Sequence, residues 1–224
     1  MPILRRSRQS ASDQRTEVYM FTLLGAIRIA MLWFGGALDV VRNRLPFHSG
    51  ASLERLSAAL RGPAVIAYAL ILLVLYGQLL LRRRPIPPLV LDLLGVWVVV
   101  NLLLHFAKIN LLMVSVVRAP ALLLGQIICY LLFFVVAWGW IFWRLDRVAG
   151  PSEQRILAAT EGSLGHGSFD YYYLSTMALL AQNSPPFQGI SRLGKTMVAL
   201  HSFMLVDLGV IAVARVYQLV QSSI

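Results

Sequence analysis

Apolar runs close to twenty residues long recur from Glu17 to Val220, and nothing else in the chain constrains its fold as strongly. A helix rises about 1.5 Å per residue, so a run of that length matches the hydrocarbon core of a bilayer. Of the 224 residues, 58% are hydrophobic and 13% are charged. A soluble domain carries roughly 25% charged residues. The expected fold class is an all-α polytopic membrane protein with no separate soluble domain.

Net charge is +10, from 20 Lys+Arg against 10 Asp+Glu. Most of these cations sit in short segments between apolar runs. That pattern points to positive-inside bias and attraction to anionic membrane lipids, and away from nucleic acid. Cys129 is the one cysteine, which excludes an intrachain disulfide and a multi-thiolate metal site. Residues 1–16 carry Arg5, Arg6, Arg8 and Arg15 and are expected to form a basic cytoplasmic N-terminus. The apolar run after them contains Arg28 and no small-x-small cleavage site, so a retained first helix is expected.

Helices are expected at about 17–40 and 63–81, the second stopped by Arg82-Arg83-Arg84-Pro85. Between them, residues 41–62 read as a polar linker with a short amphipathic turn. The stretch 87–117 is apolar but carries Asp92, Asn101, His105, Lys108 and Asn110. It is too long for one simple span and too short for two, so a hairpin or a tilted segment is expected, broken near Lys108-Asn110. A further helix runs from about Ala119 to Trp143 and ends at RLDR. Its Trp138, Trp140, Phe142 and Trp143 read as an interfacial aromatic belt. SEQRILAATEG, at 152–162, has a helix start signal and a glycine stop. Asp170 can cap a helix from Tyr171 to Leu180, which is too short to cross. The last helix, Thr196 to Val220, is long enough.

A short apolar helix, a polar break at Gln182-Asn183-Ser184-Pro185-Pro186 and a long helix follow one another. Non-helical backbone survives at membrane depth only where protein buries it or where it lines a watery cavity. Outer helix, pore helix, loop and inner helix could form such a unit. Four copies around an axis would shelter the loop, and the short helix would aim its C-terminal carbonyls inward, a site favouring cations. An ordinary loop with an interfacial helix is the alternative.

The run YLSTMALLAQNSPPFQGISRLGKTMVALH, Tyr173 to His201, resembles the pore region of short bacterial channels of the voltage-gated-like superfamily, of potassium-channel or two-pore-domain type. Their run is close to YFSFVTLTTVGYGDITPVTPLGRLLAVLE. Tyr173 and Ser175 match the pore-helix Tyr and Ser. Leu193-Gly194-Lys195 matches Leu-Gly-Arg, and Ala214-Arg215 matches a terminal Ala-Arg pair. LLGQIICYLLFFVVAWGWIFW is similar to the family's outer helix. The similarity covers roughly Ala119 to Val220. It implies a homo-tetrameric pore-loop ion channel module at 119–224, preceded by an N-terminal transmembrane region at 17–118. It also implies monovalent or other small ions as permeants and a bacterial plasma (inner) membrane location.

The departure falls on the filter. Where the family has TVGYG, this chain has Ala181, Gln182, Asn183, Ser184 and Pro185. A potassium filter turns consecutive backbone carbonyls inward, which needs glycines at unusual backbone angles. No glycine lies between Gly167 and Gly189, and Pro185 and Pro186 fix φ near −65°. The acidic residue after the family's GYG falls on Pro186, and its inner-helix glutamate falls on His201. A cation channel without potassium-type selectivity is the expectation. The alternatives are a non-conducting channel-like scaffold or regulator, and a small transporter using the intramembrane carboxylates Asp92 and Asp207.

His201 and Asp207 are the inner-helix pore candidates. They lie six positions apart and point about 120° away from each other, which argues against one metal site. Asp92, His105 and Lys108 are expected to join an inter-helix polar network. Arg28 lacks the repeated arginines of a voltage sensor. No catalytic, cofactor or phosphate-loop motif is present in the sequence, so no enzyme activity and no cofactor are expected. If the pore opens outward as in the family, the helix at 119–143 starts inside, and 87–117 begins and ends inside. If 87–117 crosses once, the pore loop faces the cytoplasm.

Overall fold

The computed structural model describes residues 11–41, 66, 68–77, 86–113, 120–148, 157–159, 168–180 and 187–222. They form α1 (Ala11–Val41), α2 (Tyr68–Gly77), α3 (Pro88–Met113), α4 (Pro120–Val148), β1 (Leu157–Ala159), α5 (Ser168–Leu180), β2 (Phe187–Gly189) and α6 (Arg192–Ser222). Three stretches are long and apolar enough to cross a membrane: Leu89–Asn110 in α3, Leu124–Asp146 in α4 and Arg192–Ala214 in α6. The chain is therefore an almost entirely helical, membrane-associated protein.

Local chemistry sets the helix ends. Pro88 and Pro120 open α3 and α4. A proline there gives up an N–H that has no helical partner, and its φ already suits the helix. The first turn of α3 is closed by Val90 N donating to Pro87 O at 3.0 Å. Ser191 starts α6: its Oγ accepts from Gly194 N at 3.0 Å, and its carbonyl accepts from Lys195 N at 2.9 Å. Such a cap stabilises a helix start by about 1 kcal/mol. α1 begins at Ala11, inside the segment expected to be a basic tail, and α5 begins at Ser168. Asp170 lies in the first turn of α5 instead of capping it. Its charge still suits the positive end of the helix dipole.

Two expectations fail here for clear reasons. Of the hairpin and the tilted segment expected at 87–117, the hairpin does not form: α3 is one continuous helix through Lys108 and Asn110. Its polar side chains bond back to their own backbone: Asn101 Nδ2 donates to Trp97 O at 2.8 Å, and Asn110 Nδ2 to Phe106 O at 3.1 Å. Polar groups satisfied one turn back need no break in the helix. In SEQRILAATEG, the described part, Leu157–Ala159, is strand and not helix. It pairs antiparallel with Phe187–Gly189, with Leu157 opposite Gly189 and Ala159 opposite Phe187. Leu157 is buried, so a non-local partner overrides a weak local helix signal.

The chain packs as two units. One comprises Met1–Glu17 and Phe134–Gly209; the other comprises Val18–Phe133 and Val210–Ile224.

In the second unit, Tyr68 is the central wedge. Its hydroxyl donates to Phe21 O at 2.5 Å, and its ring stacks on Trp97 at 4.2 Å. Gly25 makes room for it: a Cβ there would fall 2.6 Å from Tyr68 Cε1. The Tyr130 hydroxyl donates to Leu102 O at 3.0 Å and ties α4 to α3. Lipid tails are as apolar as leucine, so close packing and such bonds hold membrane helices together.

Candidate functional site

The resemblance placed function on the segment from α5 to α6, and as far as Gly209 this segment belongs to the first unit. α5 has 13 residues and is about 20 Å long, so it cannot cross. Three contacts seat it. Near its start, the Tyr171 hydroxyl donates to Asp146 Oδ2 at 2.5 Å. One position on, Tyr172 lies against Gly139 of α4. A Cβ on Gly139 would fall 2.5 Å from Tyr172 Cδ1 and 3.1 Å from Tyr172 Cα. Only a residue without a side chain lets the α5 backbone come that close. One turn further on, Ser175 Oγ lies 3.5 Å from His201 Nε2. Both groups are buried.

His201 sits in a box of rings from α4. The Phe134 ring stacks 5.1 Å away, and the Trp138 and Phe142 rings present edge contacts at 5.1 and 5.4 Å. Phe134, Trp138 and Phe142 recur every four residues, so they share one helix face. His201 thus joins α6 to α4 and α5, and its side chain is core. Asp207, the other inner-helix candidate, is half-buried on α6. Ala181, Gln182, Asn183, Ser184, Pro185 and Pro186 lie outside the described residues.

The expected aromatic belt is a core as well. Trp138, Trp140, Phe142 and Trp143 are each at most 6% exposed. They are the aromatic part of the most buried of the three spans, and protein covers them. Trp140 Nε1 points to Glu17 Oε1 at 3.3 Å, and Arg144 Nη1 bonds the same oxygen at 3.0 Å. Glu17 is fully buried, and a buried carboxylate needs such partners. Burial first, then the Glu17 carboxylate, push the Tyr172 phenol well above its usual range, which keeps it a neutral donor.

The Glu17–Arg144 pair carries topological information. It puts the start of α1 and the end of α4 at one end of the first unit. Sequence reasoning missed Gly139, Glu17 and Ser191. The available signals were a glycine between two tryptophans, a lone acid opening an apolar run, and a serine three residues before a glycine.

Of the expected network of Asp92, His105 and Lys108, the described bonds are those of His105. His105 bonds Arg28 of α1 and the backbone of Asn101, while Asp92 is half-buried on α3. Asp92 and Asp207 belong to different units. Among the described residues, no group of three His, Cys, Asp or Glu side chains could hold a metal ion. No protein-family model, curated protein or solved structure matches the chain.

Proposed function

We propose that the chain is a pore-loop channel of small ions, assembled from four copies, with a loop that discriminates little between ions. One observation carries this reading: a helix too short to cross is docked along α4 and α6 by buried side chains, immediately before the glycine-free break. An interfacial helix would leave its polar groups to water. In α5, Ser175 is wholly buried and Tyr171 is nearly so. The resemblance along Tyr173 to His201 supports the same reading.

α6 supplies the assembly face. Phe203, Val206, Val210, Val213 and Tyr217 recur every three or four residues and are all more than half exposed. Four such faces around an axis make α6 the inner helix. Ions passing Gln182, Asn183 and Ser184 meet amides and hydroxyls and stay partly hydrated, so potassium and sodium permeate alike.

The loop opens to the cytoplasm in this proposal. A basic N-terminus on the inner side, with Glu17 bonded to Arg144, supports an end of α4 on that side, where α5 and α6 would begin. α1, α2, α3, α4 and α6 then alternate in direction. Most of the 20 Lys+Arg fall on the inner side, including Arg82, Arg83, Arg84, Arg147 and Arg192.

Three measurements test this reading. Native mass spectrometry should show a tetramer, and a monomer would refute the assembly. Purified protein in liposomes should pass potassium and sodium at similar rates. No flux from a confirmed tetramer would favour a non-conducting scaffold. Cysteine introduced at Ser163 should be labelled from the cytoplasmic side only, and labelling from outside would overturn the orientation.

A further inference from the structure

We propose that Arg28, Asn101 and His105 form a proton-operated latch between α1 and α3. This inference stands apart from whether the chain conducts. Arg28 Nη1 lies 2.6 Å from His105 Nε2, and Arg28 Nε donates to Asn101 Oδ1 at 3.1 Å. His105 Nδ1 lies 2.8 Å from the Asn101 carbonyl. The donors and acceptors assign themselves. A guanidinium only donates and does not lose its proton, so Nε2 must accept. A carbonyl only accepts, so Nδ1 must donate. His105 is therefore neutral, with its proton on Nδ1. The Asn101 amide is oriented in the same way: Nδ2 donates to Trp97 O, which leaves Oδ1 to face Arg28. These four bonds follow one consistent order of donors and acceptors.

Uptake of one proton breaks that order. The proton would bind the Nε2 lone pair, forming an N–H bond. Of the two ring bonds described, the one from Arg28 must then be lost and the one to the Asn101 carbonyl can stay. Two cations would face each other at a distance now spanned by one hydrogen bond. Asn101 Oδ1 and the Asn101 carbonyl could keep their partners, so the change is confined to the α1–α3 contact.

Among the described residues, the groups that the bonds and ring contacts place around His105 bring no carboxylate to it. From α1 the facing group is Arg28. On α3, Lys108 lies three positions on and so on the same side, while Asp92 is more than three turns away. From α4, the Tyr130 ring lies 6.5 Å from the imidazole, and its hydroxyl already donates to Leu102 O. From α2, Tyr68 stacks on Trp97 and adds no charge. Loss of a charge-assisted bond between two helices weakens the pairing, so acid should loosen α1 from α3.

The test uses full-length protein in nanodiscs. Nitrogen NMR of ¹⁵N-histidine protein, with His105 assigned by its loss in His105→Gln, should show Nδ1 protonated and Nε2 bare at pH 8. A neutral ring carrying its proton on Nε2 would overturn the proposal. Hydrogen exchange is then followed from pH 8 to pH 5 and corrected for intrinsic rates. Backbone amides around Arg28 and His105 should exchange about tenfold faster at the acid end. Glutamine accepts from arginine but does not titrate, so His105→Gln should abolish the acceleration. No acceleration in the native protein, or the same acceleration in both proteins, would sink the latch.

Discussion

α4 and α6 offer spans of the same length, 23 residues each, and of equal hydropathy. Yet 56% of the α4 span is buried within the chain and only 22% of the α6 span. By composition they are interchangeable; by packing they are opposites. α4 presents rings at intervals of four residues and a glycine against which α5 rests. α6 turns His201, Met204, Leu208 and Ile211 toward the chain and leaves a longer apolar stripe uncovered. Hydropathy identifies what belongs in a bilayer. The placement of bulky, small and polar residues identifies which helix becomes a centre.

The largest break in this comparison should come from α4. Trp138→Ala removes a ring that touches Phe134, Phe142 and His201, and should cost about 3–5 kcal/mol. Trp138→Phe should be far milder, because among the described residues Trp138 Nε1 has no hydrogen-bond partner. Thermal unfolding in detergent checks both. Breaking the buried ion pair comes next. Glu17→Ala removes the buried carboxylate that Arg144 and Trp140 bond and should cost about 3 kcal/mol or more. Glu17→Leu combined with Arg144→Met should recover most of that loss.

Gly139→Val would drive a side chain into the Tyr172 backbone and should cost about 1–3 kcal/mol. The loss should appear as faster hydrogen exchange along α5. The smallest effect on the subunit belongs to α6. Val206→Ala and Val213→Ala should shift subunit stability by no more than about 0.5 kcal/mol. In the proposed tetramer the same changes should lower the oligomer fraction seen by native mass spectrometry. Equal damage to the isolated subunit from α4 and α6 substitutions would erase the distinction between the helices.

Much of this was legible from residues alone. Two of the three spans, those of α4 and α6, and the half-length of α5 with its end at Leu180 follow from apolar run length and the polar break. Charge placement exposed the membrane class. What stayed hidden was partnership. Asn101, His105 and Asn110 looked like interruptions of α3 because polarity was counted without asking where each group could bond. The tryptophans near the end of α4 looked interfacial because a belt and a buried ring face share one composition. Leu157–Ala159 carried a helix start signal, and its strand partner lies beyond α5 in sequence. A signal that depends on a distant partner cannot be read from a local window.

The β1–β2 pairing ties the chain before α5 to the chain after it. β2 is in turn seated on the first turn of α6, where a Cβ on Gly189 would collide with Gly194 and Lys195 backbone. Mechanically this is a closed buckle with α5 inside the strap. β1 precedes α5 in sequence and β2 follows it, so the two flanks of α5 meet at one place, next to the cap of α6. A twist of α6 about its axis therefore reaches both ends of the strap at once.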